Sequence, residues 1–123
     1  MIATRDIDEH LALNVMGWVV EEGNSLLRSR YYDPKKYNHN LASDEQSCEM
    51  AVSDWQPSFK VEHTFLLVPK MQMVGFQYST DNYPLCRATA RSLNQLIGRS
   101  NAEGETAAEA ISRAIAYATG WKE

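Results

Sequence analysis

Metal and redox motifs are what this sequence most plainly lacks. Its two cysteines, Cys48 and Cys86, lie 38 positions apart and outside any CxxC or Cys/His ligand spacing, which excludes a zinc ribbon or dithiol centre and predicts two reduced thiols. The three histidines, His10, His39 and His63, fall in separate segments with no HExxH or HxH pattern, so no metal site and no cofactor are expected. Glycine is sparse too. Six glycines stand singly, and none forms part of a GxGxxG, GxxxxGK[ST] or GxSxG motif, which disfavours phosphate-loop and hydrolase chemistry. The longest apolar run, Thr64 to Pro69, is far short of the ~20 residues a membrane helix needs, and Met1 to Leu11 carries acids where a secretory signal carries bases. The expectation is an intracellular protein without membrane contact.

What is present is an ordinary globular composition. The chain has 123 residues, 44% of them hydrophobic and 23% charged, which suits one domain with a real core. Twelve Lys plus Arg against sixteen Asp plus Glu give a formal charge of −4, so binding to duplex nucleic acid is disfavoured and any anion site must be local. Acidic groups such as Asp6, Asp8 and Glu9 sit where a helix N-terminus favours negative charge, which explains them without acid–base catalysis.

Periodicity then orders the chain. Thr4 as N-cap, with Ile7, Leu11 and Val15 or Met16 at helical spacing, predicts a helix over 5–16, ended by Gly17. Two apolar runs around Glu22-Gly23-Asn24-Ser25 predict a β-hairpin over about 17–32. Residues 33–58 read as a long polar insertion with a helix at 43–52, capped by Ser43 and Gln46. Phe59 to Val68 and Met71 to Tyr78, rich in Val, Phe and Leu, predict two paired strands. Ser79-Thr80-Asp81 and Pro84 predict a helix from 81–82 to Leu96 or Ile97, and 98–105 reads as a short polar loop. Thr106 and Glu109 form a capping box for a final helix over 107–119, stopped by Gly120, whose alanines imply a closely approaching neighbour. The order α-ββ-(α)-ββ-α-α argues one α+β domain over 1–123, a small antiparallel sheet packed with helices.

Three stretches in sequence order, "ALNVMGW", "FQYSTD" and "GETAAEAISRAIAYATG", resemble the phage ABA-sandwich domain family of small phage and prophage proteins. Val15-Met16-Gly17-Trp18, Tyr78-Ser79-Thr80-Asp81, and Thr106 with Ala107, Ala110, Ile111, Arg113 and Ala114 take the family's positions. The chain departs from the pattern at 33–58, which is longer, and at 98–105, where family members carry an additional strand. In size and α+β organisation the chain is also similar to oligomeric phage sponges that sequester the cyclic ADP-ribose and cyclic nucleotide signals of the Thoeris and CBASS defences. These resemblances imply a phage protein acting in the cytoplasm of an infected bacterial host. They imply an anti-defence factor that binds a small nucleotide signal without catalysis; the alternative is a protein that blocks a host defence enzyme through the acidic 43–54 segment.

Residues 84–99 hold Arg87, Arg91 and Arg99 and no acid, and a helix there would project Arg87 and Arg91 from one face with Asn94 beside them. Arg28, Arg30, Tyr31, Tyr32, Lys35, Lys36 and Tyr37 alternate bases with aromatics, a composition suited to phosphate contacts and base stacking. On the final helix Arg113 stands one turn after Glu109 and one before Tyr117. Phe76 and Tyr78 on the 71–78 strand complete the candidate ligand-binding residues. Each group also has a structural reading, as a solvated face, a loop rim or a helix ion pair. A nucleotide site requires that an arginine cluster and an aromatic converge. The alanine-rich helix and Trp121 further predict a homo-oligomer assembled through Ala114, Ala118 and Trp121.

Overall fold

The computed structural model describes residues 4–23, 29–36, 40–41, 49–79, 85–92 and 99–122. Its first element is the expected helix, α1 (Thr4–Asn14), which buries Ile7, Leu11 and Ala12. The helix stops because Gly17 takes φ +73°, and across that turn the Trp18 N–H donates to the Ala12 carbonyl at 3.0 Å. A hairpin forms within the expected 17–32: β1 (Val19–Glu21) pairs antiparallel with β2 (Arg30–Tyr32), Val20 opposite Tyr31. The pairing ends at Glu21 and Arg30, and Asn24, Ser25 and the Leu26-Leu27 run expected at the turn lie outside the described residues.

Within 43–52 the described residues include no helix. Residues 42–48, with Ser43 and Gln46, lie outside the described residues, and Met50–Ala51 form β3, which pairs antiparallel with β2. The Trp55 N–H then returns to the Ala51 carbonyl at 3.3 Å, so the chain turns inward and carries Trp55 into the core.

The 59–68 stretch reverses its prediction. Val61–Leu67 is a helix, α2, entered by a turn in which Gln56 O accepts from the N–H groups of both Phe59 and Lys60. Its buried residues, Thr64 and Leu67, are three apart, which is helical spacing; strand-rich composition yields here to the packing of that edge. Pro69 sits in a following 3-10 turn, Val68–Lys70.

The second sheet has three antiparallel strands in the order β4 (Met71–Ser79), β5 (Leu85–Ser92) and β6 (Arg99–Gly104). β4 matches its expected strand, although it pairs with β5 and not with 59–68. The predicted helix from 81–82 to 96–97 is replaced over 85–92 by β5, and its remaining positions lie outside the described residues. The reason is visible in the burial: Cys86, Ala88, Ala90 and Ser92 are covered, whereas Arg87, Thr89 and Arg91 alternate with them on the other face. The polar stretch at 98–105 is likewise a strand over 99–104, supplying the element that the sequence reading found absent.

α3 (Ala107–Ala118) closes the domain over this sheet. Thr106 caps it as expected, its Oγ1 accepting from the Glu109 N–H at 3.2 Å. The alanine content has the expected cause. A Cβ placed on Gly104 would stand 2.8 Å from the Ala110 nitrogen, so helix and sheet approach too closely there for a side chain. Ala114 and Ala118 are fully buried inside the chain, which removes the predicted assembly route through them. One hydrophobic cluster joins Ile7, Trp18, Tyr31 and Trp55 to Ala88, Ala110 and Ile115, and the fold is a small α+β domain with two antiparallel sheets.

Candidate functional site

Strand register decides which candidate residues meet. Directly paired residues share a face, and Arg87 pairs with Gln77 on one side and Glu103 on the other, so all three lie on the face away from α3. The Arg87 guanidinium grips Glu103 through Nη2 and Nε at 2.6 and 3.2 Å to the same Oε1. One position over, Thr89 Oγ1 and Asn101 Oδ1 are hydrogen-bonded at 2.7 Å.

From α3, Arg113 reaches the same strand edge. Its Nη1 donates to the Glu103 carbonyl and to Glu109 Oε1, each at 3.2 Å, which ties helix to sheet and aligns the guanidinium. Tyr117 stands one turn further along, its ring 5.6 Å from that of Trp121. Around the β6 edge these residues line a cleft of about 390 Å³: Arg87, Asn101, Ala102, Glu103, Arg113 and Tyr117. Three sequence candidates, Arg87, Arg113 and Tyr117, are thus brought together.

The others are not. Arg91 shares the outer face of β5 with Arg87 but does not line the cleft. Phe76 pairs with Ala88, on the face opposite Arg87. Arg30 is bridged to Glu21 at 3.1 Å across the β1–β2 pair. Tyr31 corrects its prediction outright: 2% exposed, with its ring 5.9 Å from Trp18, it is core and offers no face to a ligand. Lys36 is paired with Glu49 at 3.1 Å. Arg28, Asn94 and the Tyr78 side chain lie outside the described residues.

Two cleft residues, Asn101 and Glu103, were hidden in a stretch read as loop. Their signal was present, since Ser100, Ala102 and Gly104 alternate with them as small and polar residues do on a strand covered on one side. Arginine beside carboxylate at both ends gives the cleft a balanced charge when empty.

A second cavity, about 500 Å³, opens between α1 and the 52–59 segment, lined by Asp8, Val52, Trp55, Ser58 and Phe59 among others. Asp8 is 7% exposed and is no solvated helix-start acid. Burial pushes its carboxyl up to about 6, although the Ser58 N–H and hydroxyl each donate to it at 2.9 Å and oppose the shift. With Trp55 Nε1 donating to the Asp8 carbonyl at 2.7 Å, the residue clamps the 55–58 turn to α1.

The surroundings of both described histidines lower their pKa from the usual imidazole value. Burial lowers His63, whose Nδ1 accepts from the Gln56 N–H and whose ring stacks on Trp55 at 5.4 Å and 10°. Burial also lowers His10. Thr119 Oγ1 donates to the Ile115 carbonyl, so His10 Nε2 is the donor to Thr119 at 2.8 Å and Nδ1 accepts from Asn14. Among the described residues no group of His, Cys, Asp and Glu is placed to hold a metal, Cys86 is a buried free thiol, and no helix is long and apolar enough to cross a membrane. No protein-family model, no curated protein and no solved structure matches this chain.

Proposed function

We propose that this protein binds a small phosphate-bearing nucleotide in the cleft at the β6 edge and sequesters it without cleaving it, as an anti-defence sponge in the cytoplasm of an infected bacterium. The observation that carries this reading is the convergence of Arg87 from β5 and Arg113 from α3 on one cleft that also holds Asn101 and Tyr117. Guanidinium groups bind phosphate bidentately, an aromatic ring offers a stacking face, and an amide can hydrogen-bond a base edge.

The resident carboxylates are compatible with this. Arg87–Glu103 and Arg113–Glu109 are exposed or half-exposed pairs, each worth about 0–1 kcal/mol. A ligand with two phosphate groups of one charge each, as in a pyrophosphate or a pair of phosphodiesters, displaces such partners at little cost. The resemblance of the Val15–Trp18, Tyr78–Asp81 and Thr106–Ala114 stretches to a phage family supports the setting. A surface on the acidic 43–54 segment has less support, since Glu49 is already bridged to Lys36.

Isothermal titration against cyclic ADP-ribose isomers and cyclic di- and trinucleotides tests the reading, followed by heat release and chromatography of the ligand. Expected is one member of the panel bound and released intact, with Arg113→Ala and Arg87→Ala each weakening binding by about 10- to 100-fold. No binding across the panel, or a released product that differs from the ligand added, would refute it.

A further inference from the structure

A surface helix ordinarily turns one apolar stripe to the core and a polar face to solvent, and α2 departs from this by carrying large apolar side chains on both sides. Inward it buries Thr64 and Leu67; outward, Val61 is 40% exposed, Phe65 67% and Leu66 43%, and Phe59 just before the helix is 78% exposed. Glu62 is the sole charged residue on this outward face within 61–67. We infer that the outward face of α2, with Phe59, is the contact surface of a two-fold homodimer.

Area supports a second copy as the occupant. An aromatic side chain carries roughly 150–250 Å², so the four residues leave on the order of 400 Å² of apolar surface bare, as much as monomers carry in their largest patch. Apposed across a two-fold axis they supply about 800 Å², close to the apolar share of a standard interface of about 1,600 Å². Charge supports it too. Lys60 and Glu62 carry opposite signs, so the 59–67 segment has no net charge in a chain of net charge −4 and two copies meet there without like-charge repulsion. Assembly thus moves from the α3 alanines, which are covered within the chain, to α2.

Sedimentation velocity from about 1 to about 100 µM tests this, on the wild type, Phe65→Glu and, as control, Val19→Ser, whose side chain is 39% exposed on β1. Expected is a wild type that reaches a plateau at two protomers, an unchanged Val19→Ser, and a Phe65→Glu whose dissociation constant rises at least about 100-fold while its circular dichroism matches the wild type. Leu66→Lys reads the same face should Phe65→Glu fail to fold. A monomeric wild type over this range, growth past two protomers without a plateau, or a dimer that survives both substitutions would overturn the inference.

Discussion

The two sheets of this domain reach a packed core by opposite routes. Around β1–β3, bulk does it: Trp18 and Trp55 meet edge to face at 4.9 Å, and Tyr31 lies against Trp18. These strands are two or three residues long, so large rings supply the burial that short strands cannot. Around β4–β6, closeness does it. Ala88, Ala90 and Ala102 of the strands and Ala110, Ala114 and Ala118 of α3 are all buried in the core cluster. A region filled by large rings and a region closed by small residues should therefore fail under opposite kinds of substitution: truncation in the first, enlargement in the second.

The largest effect expected is in the aromatic region. Trp55→Ala removes a ring that touches Trp18 and His63 and a buried hydrogen bond to Asp8, and should cost about 3–5 kcal/mol in denaturant unfolding. A loss below about 1 kcal/mol would mean that the aromatic cluster is not what holds β1–β3.

Next comes the carboxylate that clamps that region. The folded-state pKa of Asp8 is raised from 3.8 to about 6, so between those values the folded chain binds more protons than the unfolded one, and Asp8 makes stability fall as pH rises through the window. Above it the cost is at most about 3 kcal/mol. Asp8→Asn should abolish this share of the slope: the difference in stability between variant and wild type shifts in favour of Asn from pH 4 to pH 7 and is flat above. A difference that does not change with pH would show Asp8 to be ionised as readily as a surface acid.

In the alanine region Gly104→Ala is the matching probe. Its new Cβ meets backbone nitrogen of Ala110 at 2.8 Å, which a rotamer change cannot relieve, and the expected loss is about 1–3 kcal/mol. The smallest effect has the opposite sign. Ser112 is fully buried on α3, and its Oγ makes no hydrogen bond among the described residues. Ser112→Ala should therefore raise stability by up to about 1 kcal/mol in the same unfolding measurement.

Local chemistry explains which elements were legible. α1, β1 and α3 announce themselves through signals contained in a few neighbouring residues: Ile7 and Leu11 one turn apart, the apolar Trp18-Val19-Val20 run after Gly17, Thr106 three before Glu109. Arg87, Arg113 and Tyr117 were recognisable as candidates because arginine and tyrosine carry their binding chemistry wherever they stand. That they share a cleft was not, since the helix assigned to 85–92 is a strand.

By itself, then, the sequence determined the α+β class, the helix ends at Gly17 and Thr106, and the close approach that the alanines of α3 demand. Tertiary structure alone decided α2 and β5. Val, Thr and Phe favour strands in isolation, yet 61–67 is helical, which brings Thr64 and Leu67 to the core together from one side. Ala, Cys and Arg are compatible with helix, yet 85–92 extends because two neighbouring strands satisfy its backbone and only alternation places small residues under α3. Intrinsic preferences of this kind span about 1 kcal/mol, less than burying one side chain such as Leu67, and the fate of Asp8, drawn inward by Ser58, shows the same hierarchy for charge.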